Sequence, residues 1–243
     1  MKFNLEGTVK VSKFFLAIAL LVGFQNQAQA ATFAGSTSAQ WGTPLTPSPT
    51  SVISISSHNG NTNNRLTWGE AAPNTFTSYV QFDGTTFSAG VNSLFNLGTL
   101  SYRNGSTYTY SNFDGDFPLQ IALSLALPFA SGESFNFLFN ILNTPNTSGN
   151  PVLDGDRLRF STAGLSSQKF NYQENDYTLQ LMGFSTNGGK AIVKEFNSPE
   201  GSVAIASLYG KIISDPKSVT VPEPASFAGL SLLGIYFAGR RRK

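Results

Sequence analysis

Two Asp-Gly-Asp triplets are the strongest candidates for a metal site in this sequence. They are Asp114-Gly115-Asp116 and Asp154-Gly155-Asp156. Carboxylates two residues apart on a turn can converge on a hard cation, and Ca²⁺ takes about six to eight oxygen ligands, which loops supply well. Neither triplet continues into a calcium-loop motif, and Asp-Gly is also typical of plain turns. Ordinary turns are therefore the favoured interpretation. Asp114, Asp116, Asp154 and Asp156 are the candidate ligands of the alternative, a Ca²⁺ site, and no other cofactor is indicated.

Aromatic side chains supply a second kind of candidate site. Stacking against sugar rings suits tyrosine and tryptophan, which join an apolar face to a polar group. The sequence offers Trp41, Trp68, Tyr102, Tyr108, Tyr110 and Tyr172. Tyr108 and Tyr110 are two residues apart, which on a strand places them on one face. Packing in the core or between strands is the favoured interpretation. Trp68, Tyr108 and Tyr110 are the candidates for the alternative, a carbohydrate contact, which requires that they are exposed together.

The residue types that are missing exclude several reaction classes. The chain has no cysteine and one histidine, His58, so disulfides, thiolate metal sites, thiol nucleophiles and mechanisms that need two histidines are excluded. His58 lies in a polar segment without a nucleophile elbow and is predicted to be an exposed loop residue. Glu174 with Asp176, or Glu133 with a remote partner, could form a glycosidase pair, but sequence does not test their separation. We predict that the protein is not an enzyme, and a carboxylate-based hydrolase is the third alternative.

The N-terminus has the organisation of a secretory signal peptide. Lys2, Lys10 and Lys13 precede an apolar run at 14–24, and a small-residue site with Ala28 and Ala30 follows. Eleven helical residues span about 16 Å, too short for a stable crossing of a ~30 Å bilayer core. Residues 1–30 are therefore predicted to be a signal peptide that is cut after Ala30.

The C-terminus combines a short motif, an apolar segment and a basic end. Residues 225–239 carry no charge, and as a helix they would span about 22 Å, workable for a crossing with a snorkelling basic tail. By the positive-inside rule, both basic ends stay cytoplasmic and the residues between them lie outside. The motif before the segment and the basic residues after it are Pro222, Glu223 and Pro224, then Arg240, Arg241, Arg242 and Lys243.

This C-terminal arrangement resembles the PEP-CTERM sorting signal of Gram-negative bacteria. The resemblance covers about the last 22 residues, 222–243. It implies that an exosortase, a membrane processing enzyme, cuts near the Pro-Glu-Pro after the apolar helix has anchored the protein transiently in the inner membrane. It also implies release or transfer to the cell surface or extracellular matrix. An ordinary C-terminal anchor helix is the alternative.

The charge of the chain lies mainly in these signals. The whole chain has 16 Lys and Arg against 14 Asp and Glu. Without the three lysines before the cut, the four basic residues at the C-terminus, Glu6 and Glu223, nine basic and twelve acidic residues remain, a net charge of about −3. An acidic body argues against nucleic acid as a partner.

The body, residues 31–213, is predicted to be one all-β domain, with a linker at 214–221. Apolar residues alternate with polar or small ones at 119–127, 135–141, 177–181 and 203–209, and weaker candidates lie at 53–56, 76–82, 97–102, 158–160 and 191–196. Turn dipeptides such as Asp83-Gly84 and Asn104-Gly105 separate them. About ten short strands at this spacing are typical of an antiparallel β-sandwich or jelly roll.

Several motifs of the body are similar to those of the choice-of-anchor K domain. They are Trp41-Gly42-Thr43-Pro44, Leu66-Thr67-Trp68-Gly69, Leu97-Gly98-Thr99-Leu100, Asn143-Thr144-Pro145-Asn146-Thr147 and Leu208-Tyr209-Gly210-Lys211-Ile212. That family of exported bacterial domains occurs with different C-terminal anchors. The resemblance implies an extracellular β domain and supplies no catalytic pattern.

Together these observations predict an exported protein of the cell surface or extracellular matrix, processed by signal peptidase and an exosortase. Its predicted role is structural or adhesive within extracellular polysaccharide or biofilm. A carbohydrate-binding module that uses exposed aromatic residues, with or without calcium, is the alternative.

Overall fold

A computed structural model of the protein describes residues 31–161 and 165–215. The predicted signal peptide at 1–30, with Ala28 and Ala30, lies outside them. So does the predicted sorting signal at 222–243, with Pro222, Glu223, Pro224, Arg240, Arg241 and Arg242. Within the described ranges, no helix has the length and apolar character that a membrane crossing requires.

The described chain is all-β. Thirteen strands and one 3₁₀ turn follow one another: β1 Thr32–Trp41, β2 Ile53–His58, β3 Asn61–Trp68, β4 Ser78–Gly84, β5 Thr86–Gly90, β6 Phe95–Asn104, the 3₁₀ turn Thr109–Ser111, β7 Gly115–Leu127, β8 Ser131–Leu142, β9 Asp156–Phe160, β10 Phe170–Tyr172, β11 Asn175–Ser185, β12 Glu195–Ser198 and β13 Ser202–Asp215. β13 extends two residues past the boundary expected at 213, because Ser214 and Asp215 still pair with β11.

The strands form two antiparallel sheets. One has six strands in the order β12-β9-β8-β7-β1-β5, and the other has seven in the order β10-β11-β13-β6-β4-β3-β2. Aromatic contacts cross between them: Phe33 of β1 lies 5.1 Å from Tyr177 of β11, and Phe139 of β8 lies 6.3 Å from Phe184 of β11, between ring centroids. The sheets thus enclose one apolar core in a sandwich-like arrangement.

The two clearest alternating runs form the centre of the six-stranded sheet. β7 and β8 pair over most of their length, with Leu119 opposite Phe137. Leu123 and Phe137 are buried, whereas Gln120 and Asn136 lie exposed on the other face. The period-2 pattern therefore identified both the strands and their buried faces.

The run at 203–209 forms a strand whose burial differs from its apolar pattern. Val203 and Ile205 of β13 are 49% and 60% exposed, and the alternate residues Ala206 and Leu208 are buried. The small Ala side chains face the core because this stretch of β13 pairs with β6, whose inward residues Leu100 and Tyr102 are large. The two exposed aliphatic residues lie on the outer face of the seven-stranded sheet.

Three loops meet at one end of the fold and are tied to one another. The proline-containing loop after β1 bonds to β7 through Gly42 N to Pro118 O, at 2.8 Å, and Leu45 N to Asp116 O, at 2.9 Å. Val52 N donates to Ser111 O of the 3₁₀ turn at 3.0 Å. The third loop, between β8 and β9, carries Asn143, whose Nδ2 donates to Phe113 O at 2.6 Å. These bonds fix the loops around the candidate site.

Candidate ligand-binding groove

A groove of about 670 Å³ lies between these three loops. Hydroxyl, amide and proline side chains line it, together with one carboxylate. The lining residues are Thr46, Pro47, Ser48 and Ser51 from the first loop, Thr107, Thr109, Asn112 and Asp114 from the segment around the 3₁₀ turn, and Asn143, Thr144, Pro145 and Asn146 from the third loop. The prolines restrict the conformations of two of the three walls.

A shallower hollow of about 490 Å³ adjoins this groove along the first loop. The two share Pro47, Ser48 and Ser51. Its remaining lining includes Pro44, Pro49, Ile53 and Ile55, so it is more apolar. The proline-containing loop after β1 is thus the wall between two concave surfaces.

The lining of the groove suits a ligand that is rich in hydroxyl groups. Thr and Ser hydroxyls both donate and accept hydrogen bonds, and Asn amides do the same with separate atoms. Sugar hydroxyls have the same dual character, and the prolines offer small apolar surfaces beside them. The arrangement is therefore suited to orienting a saccharide by several hydrogen bonds.

The two Asp-Gly-Asp triplets place their carboxylates in different surroundings. Asp116, in β7, accepts from Asn140 Nδ2 at 2.7 Å and Ser161 Oγ at 2.6 Å. Asp154 accepts from the backbone N–H groups of Ser148 and Gly149 at 2.9 and 3.0 Å. Among the residues that the structure describes, no three His, Cys, Asp or Glu side chains are grouped to hold a metal ion.

Local structure explains why glycine occupies the central position of both triplets. Gly115 has a φ of 143°, in the range that favours glycine. A Cβ on Gly155 would lie 2.8 Å from the backbone carbonyl oxygen of Ser198, so the close approach of this backbone disfavours a larger residue. These constraints explain the triplets as turns at the starts of β7 and β9. The Ca²⁺ site remains a prediction.

Burial raises the pKa of the Asp114 and Asp156 carboxyl groups. Asp156 is 6% exposed, and its pKa is raised to about 7. Burial is the main cause; the charges of Glu200 and Asp114 add to it, and a hydrogen bond from Thr144 N, at 2.8 Å, opposes it. For Asp154 the balance is reversed, because the backbone N–H of Ser148 lowers its pKa. Asp156 is thus hydrogen-bonded to Thr144, a residue that lines the groove, and Asp114 lines the groove itself.

A buried tyrosine lies close to this acidic group. Tyr102 is fully buried, and its hydroxyl has no hydrogen-bond partner in the structure. Burial raises its pKa, and Asp156 is the charged neighbour that raises it most. Tyr102 packs against Trp68, with ring centroids 5.8 Å apart, and is therefore a core residue and not one of the exposed aromatics considered from the sequence.

The three aromatic residues predicted to contact sugar are not exposed together. Trp68 is 1% exposed and belongs to the core, so the prediction is wrong for this residue. Tyr108 and Tyr110 are 39% and 56% exposed, and their rings stack at 5.5 Å with an interplanar angle of 17°. They flank Thr109 at the 3₁₀ turn and not on a strand, and Tyr110 Oη donates to Glu70 at 2.6 Å. The tyrosine pair is the part of this prediction that forms an accessible aromatic surface.

The other candidates from the sequence lie away from the groove. His58 ends β2, where Nε2 lies 3.1 Å from Ser56 Oγ, and it is therefore not the loop residue that we expected. Asp176 accepts from Asn171 Nδ2 at 3.1 Å in the β10–β11 hairpin, which also holds Glu174. Glu133 lies in β8 of the opposite sheet. None of these carboxylates lines the groove.

Most of the groove-lining residues were missed in the sequence, because isolated Thr and Asn residues have no distinctive spacing. One signal was present. Asn143, Thr144, Pro145 and Asn146 belong to a motif already singled out for its resemblance to an exported domain family, and all four line the groove.

Comparison with known proteins finds no match to this chain, either among protein-family models or among curated proteins.

Proposed function

We propose that this protein is exported, displayed at the cell surface or in the extracellular matrix, and attached there to extracellular polysaccharide. The two terminal signals support the location: the N-terminus has basic residues, an apolar run and then a small-residue site, and the C-terminus has the Pro-Glu-Pro motif, an apolar segment and then basic residues. In this proposal the C-terminal sorting signal holds the body outside the cytoplasm until an exosortase-type enzyme processes the C-terminus.

The observation that carries the binding role is the polar groove at the loop end of the fold. Loops at one end of a β-sandwich are common sites for recognition, because the sheets hold them rigidly. Here hydroxyl and amide groups converge from three loops that hydrogen bonds tie together. The exposed Tyr108–Tyr110 pair lies along the same chain segment and offers a stacking surface next to it.

The proposal assigns no reaction to the groove. A glycosidase needs two carboxyl groups that both reach the scissile bond. Asp114 lines the groove, but Asp156 is 6% exposed, and Thr144 N occupies one of its oxygens. Binding without catalysis therefore accounts for this arrangement better than hydrolysis does.

A double substitution in the groove tests the binding role. Thr109→Val with Asn146→Ala removes two exposed polar side chains that line the groove. Two neutral hydrogen bonds together are worth about 1–3 kcal/mol, so we expect about tenfold weaker binding to polysaccharide purified from the matrix of the producing cells. Affinity electrophoresis of the purified protein measures the change.

The matched control removes the same side-chain types elsewhere. Thr62→Val with Asn171→Ala alters exposed residues of β3 and β10, outside the groove. Binding of the control should stay within about twofold of the parent protein. Equal binding by the groove variant and the parent would refute a role of the groove.

A further inference from the structure

Two arginines stack on one tyrosine on the outer face of the seven-stranded sheet. The Arg65 guanidinium carbon lies 4.2 Å from the centroid of the Tyr79 ring, and that of Arg103 lies 4.6 Å from the same centroid. Arg103 also lies 4.8 Å from the centroid of Phe76. The three strands are neighbours, since Tyr79 of β4 pairs with Arg103 of β6 and β3 pairs with β4. Cation–π contacts at such distances hold the guanidinium planes in place.

Neither guanidinium is neutralised by a carboxylate. In the described part of the chain, Arg65 and Arg103 form no ion pair. Arg65 donates through Nε and Nη2 to Gln81 Oε1, and Arg103 donates through Nε and Nη2 to Thr77 O and Oγ1, at 2.9 and 3.0 Å. None of these bonds uses Nη1. Burial is the largest cause that lowers the pKa of Arg103, and Tyr79 raises it. The positive charge of Arg65 also lowers this pKa, so the two guanidinium groups act on each other.

The nearest acidic group on these strands, the Asp83 carboxylate, already accepts hydrogen bonds from amide groups. Gln81 Nε2 donates to Asp83 at 2.6 Å, so an amide separates this carboxylate from Arg65. Asn64 donates to the same carboxylate at 3.1 Å, and Asn59 and Asn61 donate at 3.4 Å. Asp83 is thus satisfied by amide groups and leaves the charge of the two arginines uncompensated.

Exposed aliphatic side chains continue this surface. Val203 pairs with Arg103, and Ile205 pairs with Ser101, on the adjacent strand β13. The alternating apolar pattern predicted that both would be buried, but Val203 is 49% exposed and Ile205 is 60% exposed. We call Arg65, Tyr79, Arg103, Val203 and Ile205 the arginine face.

The chemistry of the arginine face selects an anionic ligand with apolar surfaces. A guanidinium presents a planar fork of N–H donors that matches a carboxylate, and its orientation here is fixed by stacking. Aliphatic and aromatic side chains pack against the C–H faces of sugar rings. A uronic acid combines a carboxylate with such a ring.

We propose that the arginine face binds the uronate carboxylates of an acidic polysaccharide. The inference rests on the proposed function only in taking the ligand class from it, since the arginine face and the groove are separate surfaces. It adds a requirement for a negatively charged ligand that the hydroxyl and amide groups of the groove do not impose.

Alginate, a polyuronate, tests the proposal with the full chain kept in a non-ionic detergent. Arg65→Gln with Arg103→Gln should weaken alginate binding by at least about tenfold, the loss expected when two charged hydrogen-bonding partners are removed. The control is Arg157→Gln with Arg159→Gln, which removes the same charge from β9 of the other sheet and should change binding by less than about twofold. Binding by the parent protein should also fall with added salt.

Two outcomes would overturn the proposal. One is alginate binding by the Arg65/Arg103 variant equal to that of the parent; the other is an equal loss in both double variants, which would reflect net charge alone. Arg103→Lys keeps the charge but loses the planar fork, so a folded Lys variant should bind more weakly than the parent and parent-like binding would contradict the geometry. The two proposals can fail separately. If the groove variant binds matrix polysaccharide as well as the parent does, while the Arg65/Arg103 variant loses alginate binding, the proposed groove function is refuted and the arginine face is retained.

Discussion

Alanine in place of Leu123 or Phe137 is expected to lower the free energy of unfolding by about 2–5 kcal/mol. Both side chains are buried mid-strand in β7 and β8, at the centre of the six-stranded sheet. Either substitution leaves a cavity that the paired strands cannot close. A domain of this size holds only about 5–15 kcal/mol in total, and the chain has no cysteine to form a disulfide. Urea unfolding of the purified protein measures the loss.

Gln120→Ala and Asn136→Ala are the matched controls on the opposite face of the same strands. The two side chains are exposed, and Gln120 Nε2 lies 3.5 Å from Asn136 Oδ1. Each control should change stability by no more than about 0.5 kcal/mol. Equal losses on both faces would mean that both sides of the six-stranded sheet are covered, which is incompatible with a two-sheet core.

Asp156 is expected to make the protein less stable at pH 8 than at pH 5. Its folded-state pKa of about 7 lies above the value of about 3.9 for an unfolded aspartate, so the protonated form favours the folded state. This contribution is complete below about pH 4 and is lost as the pH rises through about 7. Each pKa unit corresponds to about 1.4 kcal/mol, so the loss between pH 5 and pH 8 should be about 2–3 kcal/mol.

Asp156→Asn isolates this effect, since the amide does not titrate in this range. Its unfolding free energy should change little between pH 5 and pH 8, and it should be less sensitive to pH than that of the parent protein. Gln120→Ala, the exposed variant described above, changes no titratable group, so its pH profile should parallel that of the parent. Parallel profiles for Asp156→Asn and the parent would contradict the assigned pKa.

The strands that could be predicted are those in which one face is apolar and the other polar. β7 and β8 satisfy this condition, so the alternation of their residues predicted both that these strands exist and which of their faces is buried. β13 does not, because Val203 and Ile205 face outward and small alanines face the core; pairing with β6 decided its orientation. β3, which starts with the polar segment Asn61–Asn64, was not recognised, since its apolar residues Leu66 and Trp68 occupy only one end.

The candidate sites were harder to predict, because tertiary contacts assign each side chain its surroundings. The Asp-Gly-Asp triplets look equivalent in sequence, yet local donors satisfy Asp116 and Asp154, while burial raises the pKa of Asp114 and Asp156. The groove combines three loops that are distant along the chain, so only the fold brings Thr46, Asn112 and Asn146 together. The arginine face depends in the same way on the register of β3, β4 and β6.

Intact mass spectrometry of the protein recovered from the extracellular matrix tests most directly whether it is exported and sorted. We predict a chain that begins at Ala31 and lacks the basic residues Arg240 to Lys243, because signal peptidase and an exosortase-type enzyme have removed the two ends. A mature chain that still ends at Lys243, or a protein found only in the cytoplasm with residues 1–30 attached, would contradict it.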